Sequence, residues 1–134
     1  NPGSRLTKKM LAAVYLEEGV QALEAEEWGD AVVNLEQCRQ LQPDEAEVES
    51  LLVRAYLYRG FHRYNAGVLA GAEEDCLKGI ALNNNIEGFH YILGAVYYRQ
   101  KRTEEAGREL EMVLTINPEN REAKALLAEL AQPF

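Results

Sequence analysis

Four side chains in this sequence belong to types that carry chemistry: the thiols of Cys38 and Cys76 and the imidazoles of His62 and His90. A thiolate can act as a nucleophile or metal ligand, and an imidazole can transfer protons near neutral pH. Neither cysteine belongs to a CxxC pair or has a histidine at zinc-ligand spacing, and the histidines lie far apart in the sequence. The sequence therefore predicts no metal site and no nucleophile and base pair.

Other signs of catalysis or cofactor binding are also missing from the sequence. It contains no glycine-rich phosphate loop and no nucleophile elbow. Trp28 is expected to pack between two helices, and the acidic run is interpreted as a solvated face. We therefore expect a protein that is not an enzyme and that uses no cofactor. The acidic run consists of Glu17, Glu18, Glu24, Glu26 and Glu27.

Composition predicts one soluble, helix-rich domain over residues 1–134. The chain is 47% hydrophobic and 27% charged, and it has only four prolines. Its 14 basic and 22 acidic residues leave a net charge of −8, which disfavours nucleic acid and anionic lipid as partners. No apolar run is long enough to span a bilayer, so we expect no membrane insertion. We expect a cytoplasmic location unless a signal or anchor precedes the sequence.

An internal repeat organises these residues. Gly19, Ala31, Leu35 and Pro43 follow one another at offsets of 12, 4 and 8, and Gly94, Ala106, Leu110 and Pro118 do the same. The two copies lie 75 residues apart, seven more than two periods of 34. Counting inward from both prolines places the seven extra residues between Gly60 and Ala72. We predict repeats at about 12–45, 46–86 and 87–120, with a seven-residue insertion near 61–70.

The repeat resembles the tetratricopeptide repeat (TPR), whose pattern is matched by Leu93-Gly94, Tyr97, Ala106 and Pro118. The resemblance covers nearly the whole chain and implies an all-α, right-handed superhelical stack of three helix-turn-helix units. Apolar residues with helical spacing in the tail predict a C-terminal capping helix at about 119–131. The other helices are predicted at about 5–25, 29–41, 45–62, 66–82, 86–100 and 103–116.

The resemblance also implies a binding surface. In TPR proteins the first helix of each unit, helix A, lines a concave groove that holds a peptide segment or helix of a partner. The repeat register assigns to this surface Ala13, Leu16, Val20 and Leu23, then Glu47, Ser50, Arg54 and Leu57, then Gly88, Tyr91, Ala95, Tyr98 and Arg99. Two alternatives stay open: the N-terminal extension folds across Leu16, Val20 and Leu23, or the tyrosines pack between helices.

One TPR subclass captures the C-terminal carboxylate of chaperones with Lys, Asn and Arg side chains. The corresponding positions here are occupied by side chains that cannot donate a hydrogen bond to a carboxylate. We therefore expect no binding of chaperone tails by that clamp. The positions are Leu16, Val20, Leu51, Gly88 and Ile92.

The stretch from Gly60 to Gly71 contains the predicted insertion and admits two interpretations. In one, it is an extended helical hairpin whose second helix begins near Asn65, a residue suited to an N-cap. In the other, it is a loop that exposes an aromatic recognition patch. Phe61 and Tyr64 are candidate partner-binding residues in both.

These observations predict a non-catalytic module for protein–protein interaction, acting as an adaptor or assembly scaffold. Its candidate partner-binding residues are Leu16, Val20, Arg54, Leu57, Phe61, Tyr64, Tyr91, Tyr98 and Arg99. The alternatives are self-association into a homo-oligomer, or a regulatory domain of a larger protein.

Overall fold

The computed structural model describes residues 2–132, so residues 1, 133 and 134 lie outside it. This part of the chain forms seven α-helices and no strand. Every helix end lies within three residues of its predicted position. The helices are α1 (Pro2–Glu24), α2 (Trp28–Leu41), α3 (Ala46–Asn65), α4 (Leu69–Leu82), α5 (Glu87–Arg99), α6 (Thr103–Ile116) and α7 (Arg121–Ala131).

Three turns of the same geometry join α1 to α2, α3 to α4 and α5 to α6. Each turn has one residue in the left-handed region: Glu26 (φ 60°), Gly67 (φ 82°) and Lys101 (φ 62°). The backbone N–H of each donates to the carbonyl three residues earlier, at 3.0–3.1 Å. The next N–H donates five residues back, at 2.8–2.9 Å, which completes the capping pattern common at helix C-termini. The three hairpins are therefore equivalent at the turn.

A glycine stands seven residues before each left-handed residue and faces the second helix of its hairpin. A Cβ added at Gly19 would lie 2.7 Å from Leu35 Cγ, and one at Gly94 would lie 2.8 Å from Leu110 Cδ2. At Gly60 the corresponding neighbour is Cys76, with its Sγ at 3.6 Å. The glycines let the two helices of each hairpin approach closely, because no side chain stands between them.

The seven extra residues therefore lie in α3 and not in the hairpin near 61–70. Gly60 and Ala72 are twelve residues apart, the spacing also seen in the other two hairpins, whereas α3 has 20 residues and α5 has 13. Seven residues are close to two helical turns, about 10 Å, so they lengthen a helix without rotating its faces. Asn65 ends α3, and the N-cap of α4 is Val68, which corrects the expected start near Asn65. The repeat bounds themselves stay a prediction.

Contacts divide the described residues into two compact units, with the boundary between Arg59 and Gly60 inside α3. In the first unit, α1 packs on α2 through buried apolar residues that include Ala22, Val32 and Leu35. Trp28 is half-buried and stacks on Tyr58 of α3, with ring centroids 4.8 Å apart. This stacking contact joins α2 to α3 within the first unit.

The second unit has a core of fully buried side chains between α4, α5 and α6, with Phe89 and Leu93 at its centre. The final helix, α7, packs on α6, and buried Ala123 joins Leu110 and Val113 in one cluster. Asn120 caps α7, its side-chain oxygen accepting from the N–H of Ala123 at 2.9 Å. The tail thus forms a helix that covers apolar surface of α6.

The imidazole of His90 and the thiol of Cys76 both lie inside the second unit. His90 is 4% exposed, and its ring nitrogens contact a carboxylate oxygen of Glu109 at 2.7 Å and the Asn84 carbonyl at 2.8 Å. Cys76 is also buried, and burial raises the pKa of its thiol to about 12. A histidine with both ring nitrogens in contact with polar partners and a buried thiol with a raised pKa are both typical of structural roles.

None of the described helices combines the length and apolar character needed to cross a membrane. Residues 2–132 also contain no group of three or more potential ligands from His, Cys, Asp and Glu arranged to hold a metal ion.

We expect Gly79→Ala to destabilise the protein, because its new methyl group would overlap the ring of fully buried Phe89. Overpacking of this kind costs about 1–3 kcal/mol. Gly107→Ala is the matched control, since a Cβ at Gly107 of α6 has no neighbour within 4 Å. The control should leave stability unchanged or raise it by about 0.5–1 kcal/mol. Urea unfolding of both variants measures this, and equal effects would contradict the packing described.

Candidate functional site

The hairpin register defines a set of equivalent positions in each unit, which we call the helix-A face. Positions 34 residues apart are equivalent between α3 and α5, and positions 75 apart are equivalent between α1 and α5, because the glycines and turns align at those distances. On α3 this replaces the expected Glu47, Ser50, Arg54 and Leu57 by residues seven positions later. The helix-A face consists of Ala13, Leu16, Val20 and Leu23 on α1, Arg54, Leu57, Phe61 and Tyr64 on α3, and Gly88, Tyr91, Ala95 and Tyr98 on α5.

In the first unit this face is mostly apolar. Leu16, Val20 and Leu57 are half-buried, and Arg54 is exposed. The N-terminal extension does not fold across Leu16 and Val20, because it is the first part of the continuous helix α1. Beside Leu16 lies a cavity of about 180 Å³, lined by Lys9, Ala12, Ala13, Leu16, Cys38, Gln42, Glu45 and Val48.

In the second unit the helix-A face is aromatic. Phe61 is 55% exposed and Tyr98 is 37% exposed, while Tyr64 and Tyr91 are half-buried. The guanidinium of Arg99 lies over the Tyr64 ring, 4.4 Å from its centroid, and donates a hydrogen bond to the Tyr64 carbonyl at 3.3 Å. Arg99 therefore fixes the orientation of Tyr64 through a cation–π contact.

Tyr91 takes part in the packing of α7 on α6. Its side chain packs against the cluster of Leu110, Val113 and Ala123 beneath α7. Burial raises the pKa of the Tyr91 hydroxyl, and nearby Tyr64 and Glu122 raise it further. Tyr91 is thus partly packed between helices, as one of the two alternatives expected, whereas Tyr98 is exposed.

Two acidic residues of α7 extend this aromatic surface, and sequence reasoning missed them. Glu122 and Glu129 lie 34 residues after Gly88 and Ala95, so they hold equivalent positions on α7. The Tyr98 hydroxyl donates to a carboxylate oxygen of Glu129 at 2.7 Å. That bond and the charge of Glu129 raise the pKa of Tyr98. Applying the 34-residue offset to the tail would have identified both.

Tyr97, the residue before Tyr98 on α5, sits in a related setting. The guanidinium of Arg102 lies over the Tyr97 ring at 4.2 Å. The Tyr97 hydroxyl donates to Glu73 at 3.3 Å, and Arg102 donates to the other oxygen of Glu73 at 3.2 Å. Burial, followed by the charge of Glu73, raises the pKa of Tyr97 to about 12. Ring, carboxylate and cation here form one closed group, which Glu105 extends by accepting from Arg102 at 2.6 Å.

We expect Glu129→Gln to lower the pKa of Tyr98 towards its ordinary value of about 10. The carboxylate raises that pKa because it accepts a hydrogen bond from the neutral hydroxyl and repels the phenolate. NMR titration of ¹³C-labelled tyrosine rings measures the shift. Glu111→Gln, which removes an exposed carboxylate from α6, should leave the Tyr98 titration unchanged. An unchanged Tyr98 titration in Glu129→Gln would contradict the contact.

The chain matches no family model, and no curated protein matches its sequence. Solved structures do resemble it. The TPR domain of Arabidopsis OM64 is 20% identical, with coverage of 92% of this chain and 96% of that one and a TM-score of 0.60. The first TPR domain of Spaghetti (RPAP3), bound to the HSP90 peptide SRMEEVD, is 24% identical over 92% of each chain, with a TM-score of 0.61.

A third structure, the TPR2B domain of yeast Sti1 in complex with pHsp70, is 20% identical and has a TM-score of 0.59, with coverage of 92% of this chain and 98% of that one. All three are TPR domains, and each is matched over nearly its whole length. The described chain, helical throughout and built from hairpins with one common turn, therefore has a TPR-like fold.

Proposed function

We propose that this chain is a non-catalytic interaction module that binds a peptide segment or helix of a partner protein on its helix-A face, as an adaptor or scaffold. One observation carries the proposal: the second unit presents exposed aromatic side chains on the face that is repeated from hairpin to hairpin. Phe61 and Tyr98 are exposed rings with few rotatable bonds, the kind of side chain that anchors protein partners.

The aromatic side chains are also held in place before any partner arrives. Arg99 holds Tyr64, and the bond to Glu129 orients Tyr98. Binding to side chains that are already ordered loses less conformational entropy than binding to mobile ones. This favours a recognition role for these residues over that of an ordinary solvated surface.

The similar structures support a peptide as the partner class. Two of them were solved with chaperone-derived ligands, an HSP90 peptide and pHsp70. At the clamp positions of this chain, Leu16, Val20, Gly88 and Ile92 offer no side-chain donor for a carboxylate. The revised register moves the remaining position from Leu51 to Tyr58, whose hydroxyl alone does not make a clamp. We infer a partner other than the carboxylate tail of a chaperone.

We expect the double variant Phe61→Ala with Tyr98→Ala to lose binding of peptides that a random-peptide display selection enriches on the wild type. Truncating an aromatic anchor weakens binding by about 1–2 kcal/mol or more, so we expect affinities at least tenfold weaker. Fluorescence polarisation with the selected peptides measures the change.

The matched control removes two apolar side chains of similar exposure from the second helices of hairpins, Leu77→Ala on α4 with Met112→Ala on α6. It should bind the selected peptides as the wild type does. Equal losses in both double variants would show a general effect on the fold, and enrichment of no peptide on the wild type would argue against the proposed function.

A further inference from the structure

Around Tyr97, a hydrogen-bonded pair of tyrosine and glutamate is joined by a cation of the same chain. The Tyr97 hydroxyl donates to one oxygen of Glu73, and Arg102 both covers the ring and donates to the other oxygen. The cation thereby satisfies two electron-rich groups at once, the π face of the ring and the carboxylate. The group therefore has three parts: an aromatic ring with its hydroxyl, a carboxylate, and a cation that contacts both.

Tyr98 of the helix-A face and Glu129 of α7 repeat two of those three parts, the ring with its hydroxyl and the carboxylate. The hydroxyl of Tyr98 donates to the Glu129 carboxylate at 2.7 Å, a shorter contact than that between Tyr97 and Glu73. Both residues are exposed. Within residues 2–132 the cations seen over tyrosine rings lie on Tyr64 and Tyr97, and none lies on Tyr98.

The charges near this pair favour a cation from outside the chain. Arg99, the next residue on α5, is directed to the ring and carbonyl of Tyr64. Glu122 lies two helical turns before Glu129 on the same face of α7 and adds a second negative charge. The chain as a whole carries a net charge of −8, so its long-range field also attracts positively charged partners.

We propose that the pair of Tyr98 and Glu129 is a binding point for one lysine or arginine side chain of the partner segment. The ammonium or guanidinium group lies against the Tyr98 ring and donates to the carboxylate of Glu129, as Arg102 does with Tyr97 and Glu73. This inference rests on the proposed function, because it assigns a chemical class to the segment that the helix-A face holds. It also predicts discrimination against acidic segments, which Glu122 and Glu129 would repel.

The first test is a display selection with a random twelve-residue peptide library on the wild type, Glu129→Gln and Glu111→Gln. Glu129→Gln keeps the size of the side chain and removes its charge, and Glu111→Gln removes an exposed charge from α6. We expect wild-type peptides to share a lysine or arginine at one position. Their affinity should fall by up to about fivefold in Glu129→Gln, which loses one exposed ion pair but keeps the Tyr98 ring, and should stay unchanged in Glu111→Gln.

Each other outcome counts against the inference in a distinguishable way. Enriched peptides without a shared basic position, or with affinities equal in the wild type and Glu129→Gln, would overturn the assignment of a cation and leave peptide binding standing. Enriched peptides rich in Asp and Glu would reverse the assigned charge. No enrichment on the wild type would overturn both this inference and the proposed function.

A charge swap separates direct contact from a change in the general field. Glu129→Lys should reject the best wild-type peptide and recover binding when the basic residue of that peptide is replaced by glutamate. Glu111→Lys changes the net charge by the same amount and should produce neither effect. Failure of the swapped pair to recover, with circular dichroism showing a folded variant, would overturn the direct contact.

Discussion

The close approach of the two helices in each hairpin is the constraint on which the rest of this structure depends. Gly19, Gly60 and Gly94 leave no side chain between the helix axes, so Leu35, Cys76 and Leu110 lie directly against the first helix. The distance to the turn is then set, because seven residues later the chain must reverse through one left-handed residue. With the approach and the turn both defined, the direction of every side chain on the first helix follows from its distance to the glycine.

That dependence explains how a surface can recur on helices of different length. α3 is seven residues longer than α5, yet Phe61 and Tyr64 are equivalent to Ala95 and Tyr98 because they are counted from the glycine and not from the helix start. An extension of two turns at the far end leaves the faces in phase. The same count, continued by one period, places Glu122 and Glu129 of α7 next in the series.

Sequence reasoning located the helices well because prolines, asparagines and glycines mark their ends, and it recognised the fold from the recurrent small residues. It misplaced the extra residues for a physical reason: a count from Pro43 is valid only if every first helix has the same length. Two of the left-handed turn residues, Glu26 and Lys101, are not glycine, so the equivalence of the turns was invisible in the sequence. Tyr98 and Glu129, which are in contact, lie 31 residues apart in the sequence, so no local sequence pattern could predict their contact.

The two adjacent tyrosines of α5 show how this acidic chain distributes its few cations. Arg63, Arg99 and Arg102 are directed to partners within the second unit, to Asp75, the Tyr64 ring and Glu73 respectively. Carboxylates exceed basic groups, and as proposed above the pair of Tyr98 and Glu129 takes its cation from another molecule. An exposed ion pair adds little affinity by itself. In the proposed function the aromatic area therefore supplies most of the binding energy, while the carboxylates discriminate by charge among segments of similar shape.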